Sequence, residues 1–528
     1  MHNSMDTLSS CQVYLSSQSG AKCESLPNCL FEGFESKGAD QFIEVFPEQR
    51  RQKLIGIGGS FTESSAWVLA HLEVEQRASL MKAFFSEEGA NYSLARTTIG
   101  STDFCVKGKY SYVTDEQDVK LDSFSIDVDK DGFSPDEFPD VKDSEYDLLP
   151  MIKEALDIKK SQSSCEFKII ASAWTAPPWM KSNKEWFGGE LANEFMQCYA
   201  DYLGKYIDAY GQEGVEIWGL TPVNEPLGND SNWESMHFTP QSQRDFIKSS
   251  LGPAMKHRSV KLLMFDHARP VLEDWADTLY SDEDCARYLY GSAVHWYDST
   301  FKVFEEVFER VHEKYPEFAI LHTEGCVDNL GNDAPEGVLD PAGYKESGWF
   351  NNDSFWWTES ATDWAYSATW PGLISEDHPK YAPVHRYARD LIVGLNHWLE
   401  GWVDWNLVLD QRGGPNHVHN YCGAPVMVDL ESGFIYYTPI HYVMTQFSRT
   451  IRPGDTVVYS KVSEELQSKG VVSCSTMNDN NLLTVQIHNP GQEQVDCELI
   501  VHKRQSKLVL PANSIKTIQV ELDKSNVS

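Results

Sequence analysis

The sequence predicts an α/β protein: a (β/α)8 TIM barrel carrying an antiparallel β-sandwich built from both chain ends. Three observations predict it. Eight short apolar runs between residues 54 and 410 alternate with helical patterns, and eight parallel strands close such a barrel. After about residue 451 the alternation stops, and short strand-like runs follow one another between polar turns. The carboxyl end of each of the eight runs carries polar or aromatic groups, which a packed core alone does not require.

In chain order, residues 1–54 are turn-rich, with CQVYLSS and QFIEVFP as strands. The barrel strands are LIGIGGSFTE, NYSLARTTIG, FKIIASAW, VEIWGLTPVNEP, KLLMFDHA, GSAVHWY, AILHTEGC and LEGWVDWNLVLD. Their near-continuous apolar character is that of strands buried on both faces. Between them, Phe195, Cys198, Tyr199, Tyr202, Leu203, Tyr206, Ile207 and Tyr210 recur at helical spacing, as do Phe301, Phe304, Val307, Phe308 and Val311. Thr239-Pro240 is an N-cap followed by proline at the first helical position. Beyond 451, VVSCSTM, LLTVQIHN, CELIVHK, SKLVLP and TIQVEL are strands separated by turns such as Asn489-Pro490-Gly491. The expected division is a variable amino-terminal strand segment over 1–29, a β-sandwich from 30–54 plus 452–528, and a catalytic barrel over 55–451.

Charge excludes several function classes. Lys plus Arg number 44 against 79 Asp plus Glu, a net of −35, so nucleic-acid phosphates and anionic membrane surfaces are repelled. No apolar run approaches about 18 residues, so no transmembrane segment is expected. The start, MHNSMDTLSSCQVYL, lacks a basic segment followed by an apolar stretch. A cytoplasmic location is therefore the default expectation, with secretion the alternative if a leader has been removed. The 11 cysteines show no zinc-type spacing; only Cys11, Cys23 and Cys29 cluster closely enough for a disulfide. GIGGSF is not G-x-G-x-x-G and no P-loop is present, so nucleotide chemistry has no support. The pattern sets no oligomeric state.

Two glutamates carry the chemistry. Glu225 ends VEIWGLTPVNEP and Glu324 ends the strand part of AILHTEGC, so a barrel brings both to one mouth. Paired carboxylates in one pocket are the machinery of glycoside hydrolysis, one protonating the leaving oxygen and the other attacking or activating water. Asn224 can hydrogen-bond a sugar hydroxyl beside the scissile bond, and Pro226 restricts the turn that aims the pair. A catalytically inert sugar-binding barrel would lack one of the glutamates, and both are present. No metal or organic cofactor is required, since carboxylates suffice; the expected partner is a carbohydrate or glycolipid substrate.

The ordered set EQRRQKLIGIGGSFTESSA, FFSEEGANYSLARTTIGSTDF, ASAWTAPPWMK, LTPVNEP, FTPQSQRDFI, AVHWY, TEGC and GWVDWNLVLDQRGGPN resembles glycoside hydrolase family 30, and within it the glucosylceramidase (acid β-glucosidase) branch. The likeness runs from about residue 48 to the end. It implies a retaining mechanism, with Glu324 as nucleophile, Glu225 as acid/base and their carboxyls about 5–5.5 Å apart. It also implies substrate contacts from Glu63, which stands where the family has Asp in GGAMTD, and from Trp174, Trp405 and Asn420. Tyr297 would donate to the nucleophile, His295 would orient the site, and Arg96 would hold carboxylate geometry or serve as a barrel-interior ion pair. By the same resemblance the barrel is joined to a β-sandwich made from both chain ends.

Two departures bear on substrate. The loop over 124–147 is acidic, and Asp127, Asp129, Asp131 and Gly132 follow EF-hand spacing, but Phe138 replaces the bidentate Glu. A solvated loop is expected, with a weak Ca²⁺ site as the alternative. The segment 349–371 is rich in Trp and could wall the mouth against lipid or stack further sugars. The expected activity is a glucosylceramidase-like β-glucosidase, followed by endo-β-1,6-glucanase and β-xylosidase.

Overall fold

Backbone pairing closes the eight apolar runs into one parallel barrel, seen in a computed structural model that describes residues 11–33, 40–115, 117–162, 166–230, 233–299, 302–328 and 382–522. Its strands are Gly56–Phe61, Leu94–Ile99, Lys168–Ala173, Gly219–Thr221, Lys261–Ala268, Leu289–His295, Ala319–Glu324 and Leu399–Asn406. The ring closes where the last strand pairs with the first. Ile55, Leu94, Ile170, Leu263, Ala293, Leu321 and Val403 fill the barrel interior, so its lower part is solid core and the chemistry is left to the carboxyl-terminal mouth. Gly58 lies directly against the Leu94 carbonyl, where a side chain has no room.

The helices follow their stripes. Met196–Gln212 buries Tyr199, Tyr202, Leu203, Tyr206 and Tyr210, and Glu305–Lys314 buries Val307, Phe308 and Val311. Phe301 lies outside the described residues, and Phe304 serves as the N-cap of the second helix. Thr239 caps Pro240–Phe246 through a reciprocal bond with Ser242.

Both chain ends enter one ten-stranded, mostly antiparallel sheet that forms the β-sandwich. Cys11–Ser17 pairs along its whole length with Ser514–Glu521. The segment set apart over 1–29 thus contributes strands to the same sheet. Phe42–Lys53 pairs antiparallel with Thr456–Val462 and parallel with Val495–Val501. Thr456–Val462 has no counterpart among the sequence-derived strands. Its second half, Tyr459, Ser460 and Lys461, is polar and partly exposed, which hides the strand period. The barrel's last helix, Pro439–Thr450, docks on this sheet: Gln446 Nε2 donates to Ile515 O (3.1 Å) and Thr517 Oγ1 (2.8 Å), and Ser16 Oγ donates to Gln446 Oε1 (2.6 Å).

Cys11, Cys23 and Cys29 are free thiols, with Cys11 and Cys29 hydrogen-bonded to each other. In the acidic loop Asp129 turns inward to accept from Tyr112 (2.6 Å) and Tyr210 (2.7 Å), while Asp127 and Asp131 face solvent. The three do not converge as Ca²⁺ ligands. The Trp-rich segment 349–371 lies outside the described residues. No described helix is long and apolar enough to cross a membrane.

Candidate active site

Strand ends deliver the two carboxylates. Glu324 is the last residue of Ala319–Glu324. Glu225 sits in the turn after Gly219–Thr221, where Asn224 N donates to Ala173 O (2.7 Å) and Glu225 N to Asp266 O (3.0 Å). Glu225 (φ 47°) and Asp266 (φ 75°) both adopt left-handed backbone, a conformation costly for these residues and concentrated at functional sites. The sheet register also slips beside Asp266 and at His295, bulges that re-aim side chains next to a site.

Within the mouth, an oxygen of Glu225 and an oxygen of Glu324 lie within 4.8 Å of each other. Tyr297 Oη donates to Glu324 Oε1 (2.9 Å), and Arg96 forms an ion pair with Glu324 Oε2. His295 Nδ1 lies 2.9 Å from Glu225 Oε1, and His267 Nε2 lies 3.9 Å from the same oxygen.

Below the pair, Arg96 and Asp266 form a fully buried hub. Arg96 Nη2 donates to Asp266 Oδ2 (2.8 Å) and Asn224 Oδ1 (2.7 Å), and Arg96 Nε donates to Ser172 Oγ (3.0 Å). Asp266 also accepts from Thr221 (2.8 Å), Thr323 (2.6 Å) and Ser172 (3.1 Å), and its Oδ1 lies 2.9 Å from His295 Nε2. Burial opposes its charge, but Arg96 and His295 outweigh burial and hold the carboxyl well below the usual range. Burial likewise opposes a charged His295, yet Glu324 and Asp266 raise it to about 9. At neutral pH His295 is therefore an imidazolium donating to Glu225 on one side and Asp266 on the other.

The two glutamates titrate as a pair. Burial pushes Glu324 up, with only partial relief from His295 and Arg96. For Glu225 burial acts in the same direction, but His267 and His295 outweigh it and lower its pKa. His295 Nδ1 thus stands one 2.9 Å hydrogen bond from Glu225 Oε1, close enough to exchange a proton with it.

Trp174 and Trp405 stack on each other (centroids 5.2 Å, 24° between planes) and wall the pocket, with the Arg96 guanidinium against both rings. Asn224, Tyr297 and Asn420 line the same pocket, whereas His295 and Arg96 support it from behind. Glu63 is placed elsewhere. It opens the helix Glu63–Ala70, so its side chain turns onto the neighbouring loop, where Oε1 accepts from the amides of Val106 (2.8 Å) and Lys107 (2.9 Å). Glu63 does not line the pocket.

A third carboxylate lining the pocket, Asp103, is one that sequence reasoning missed. Its Oδ2 accepts from Asn416 Nδ2 (2.9 Å) and Asn420 Nδ2 (3.0 Å), and burial pushes its carboxyl up to about 7. The available signal was its place in GSTDF, just past the second barrel strand. Phe104 and Trp233 complete the aromatic lining, and Cys326 and Cys422 bring two thiols to it. Among the described residues the only set of side chains close enough to grip a metal ion is Glu225, His295 and Glu324. All three are already engaged in the hydrogen bonds above.

Comparison with known proteins agrees with this geometry. The Glycosyl hydrolase family 30 TIM-barrel domain matches residues 54–368 and 373–451. The lysosomal acid glucosylceramidase of Mus musculus is 30% identical over 468 residues, spanning 87% of this chain and 79% of the relative. An endo-1,6-β-D-glucanase of Trichoderma harzianum is 23% identical over 528 residues, spanning 96% of this chain and 92% of that enzyme. Among solved structures, SrfJ of Salmonella typhimurium superposes with a TM-score of 0.79 at 24% identity, covering 97% of this chain and 100% of that one, a likeness of fold. Paired strand-end carboxylates over an aromatic-walled barrel mouth, together with a family match across most of the chain, identify it: the chain belongs to glycosyl hydrolase family 30.

Proposed function

We propose that this retaining glycoside hydrolase acts as a glucosylceramidase-like β-glucosidase, releasing a terminal glucose by double displacement. The observation that carries the mechanism is the separation of the two carboxylates, with oxygens within 4.8 Å. That closeness suits direct attack at the anomeric carbon. Glu324, held by Tyr297 and Arg96, attacks the anomeric carbon and forms a glycosyl ester. Glu225 passes its proton to the departing oxygen, then withdraws one from the water that cleaves the ester. The stacked Trp174–Trp405 faces suit the C–H face of a sugar, and Asp103 with Asn420 offers polar partners for its hydroxyls.

Preference for a glucoside with an apolar aglycone is supported by likeness to the mouse glucosylceramidase. Endo-β-1,6-glucanase action is the second reading, favoured by the Trichoderma glucanase, which aligns over nearly its full length. Product sizing after incubation with linear β-1,6-glucan, alongside an aryl β-glucoside, separates the two. Glucosidase action predicts aryl-glucoside cleavage with the polymer untouched, and glucosylceramide is then the next substrate. Short oligosaccharides from the polymer would establish the glucanase instead.

A further inference from the structure

Three loops of the barrel mouth meet where buried Glu234 faces the part-buried ring of His417, a contact that neither lines the pocket nor takes part in the chemistry above. Glu234 comes from the loop after the fourth strand, next to pocket-lining Trp233, and its side chain is fully buried. Ser101, from the loop after the second strand, donates its hydroxyl to Glu234 Oε1 (2.7 Å). His417, from the loop after the eighth strand, places Nε2 3.3 Å from Glu234 Oε2, while its Nδ1 lies 3.2 Å from Cys105 O.

Everything these contacts hold surrounds Asp103. His417 N donates to Asp103 O (3.0 Å), and Asn416 and Asn420 on the same loop donate to Asp103 Oδ2. On the far side, Lys181 Nζ donates to Ser235 O (2.7 Å), pinning the loop that carries Glu234. Asp103 is thus gripped on both its backbone and its carboxylate by the 416–420 loop, whose His417 ring faces Glu234.

A buried charge is costly unless it is paired, and breaking such a pair leaves the partner uncompensated. Tying loops together needs no charge, since backbone hydrogen bonds do that elsewhere in this mouth. The Glu234–His417 contact adds a fixed distance between loops that share no secondary structure. The groups facing His417 are Glu234 and Asp103. Burial opposes its protonation, but Glu234 outweighs burial and raises its pKa above the ordinary value.

We propose that Glu234 and His417 are positioning residues for Asp103, clamping three loops so that its carboxylate is presented to the sugar hydroxyls. The proposal rests on the glycosidase reading for the purpose of the clamp, but not for its existence. Two measurements test it on the full chain. The first follows the His417 ring proton by NMR through a pH titration, assigned by its loss in H417L. It should titrate above the ordinary histidine value in the native protein and move down in E234Q. Identical titration in both proteins overturns the pairing.

The second is a double-mutant cycle on kcat/KM with whichever substrate the native enzyme cleaves. H417L alone should lower kcat/KM roughly tenfold, the scale of coupling between contacting residues. D103N with H417L should be no worse than D103N alone, within about twofold. Losses that multiply would mean a merely structural role and overturn the proposal. E234Q, which keeps the Ser101 contact while removing the charge, serves in place of H417L if that variant does not fold. A native enzyme inactive on every glucoside would instead sink the functional reading, and the titration would then decide the clamp.

Discussion

Glu225 and Glu324 face the same pocket but are held by different donors, a difference that suits the roles proposed for them. Glu324 receives Tyr297 and Arg96, which hold it in line for attack without handing it a mobile proton. Glu225 receives His295, an imidazolium with a proton to exchange. E324Q should therefore abolish turnover on every glycoside while the fold persists, checked by circular dichroism beside an activity assay. E225Q should lower kcat/KM roughly 10²–10⁴-fold for an alkyl glucoside, whose leaving group needs protonation. For an aryl glucoside with an acidic phenol the same substitution should cost much less. Equal losses on both substrates would remove Glu225 as the acid. Arg96 is the residue on which the site's stability rests, because Asp266 and Glu324 are both buried against it. R96M strands both charges and should destabilise the protein by about 3–5 kcal/mol, read from its denaturant midpoint.

Packed elements set the response to pH. The helix Ala382–Asn396 meets the strand Leu482–Asn489 through His385 Nδ1 and His488 Nε2, 2.8 Å apart and both buried. Burial holds His488 well below its ordinary pKa, and on Pro439–Thr450 it pushes His441 down to about 3. Each histidine is neutral when folded and protonated when unfolded over the interval between its two pKa values. The contribution of His441 is fully present above the ordinary value of about 6.5 and is lost as pH falls towards about 3, and that of His488 is lost in the same direction. His295 runs the other way: raised to about 9, it contributes stability that is fully present below about 6.5 and lost as pH rises through about 9. Thermal midpoints should therefore peak near neutrality. H441F should shrink the drop between pH 7 and pH 5, and an unchanged drop would remove His441 from the account.

Over the whole molecule, the net charge of −35 acts as self-repulsion spread across a barrel and a sandwich folded against each other. Salt screens that repulsion beyond about 10 Å at 0.1 M, while buried pairs such as Arg96–Asp266 are screened far less. Raising NaCl from about 20 mM to about 500 mM should therefore raise Tm by a few degrees, read by differential scanning calorimetry. A fall would mean that exposed ion pairs such as Lys314–Asp277 outweigh the general repulsion. The sandwich is no loose appendage. Gln446 reaches from the barrel's last helix to Ser16 near the amino end and to Thr517 near the carboxyl end, so both chain ends brace the barrel.

By itself the sequence determined the barrel and which two carboxylates meet at its mouth. A strand's period and length are local properties, and a residue at its carboxyl end must reach the mouth whatever the loops do. Hence Glu225 and Glu324 were legible from pattern, and Trp174 and Trp405 from the family resemblance. Tertiary structure decided what lies one step off the strands. Glu63 stands two residues beyond the strand Gly56–Phe61, yet it opens a helix and its carboxyl turns to the amides of Val106 and Lys107. Asp103, seven residues past Arg96, becomes the pocket's third carboxylate because Asn420, 317 residues away in sequence, holds it there. Asp266 becomes the hub because Arg96, His295 and three hydroxyls from separate strands converge on it. Such directions are set by hydrogen bonds between segments far apart in the chain, and no local period encodes them.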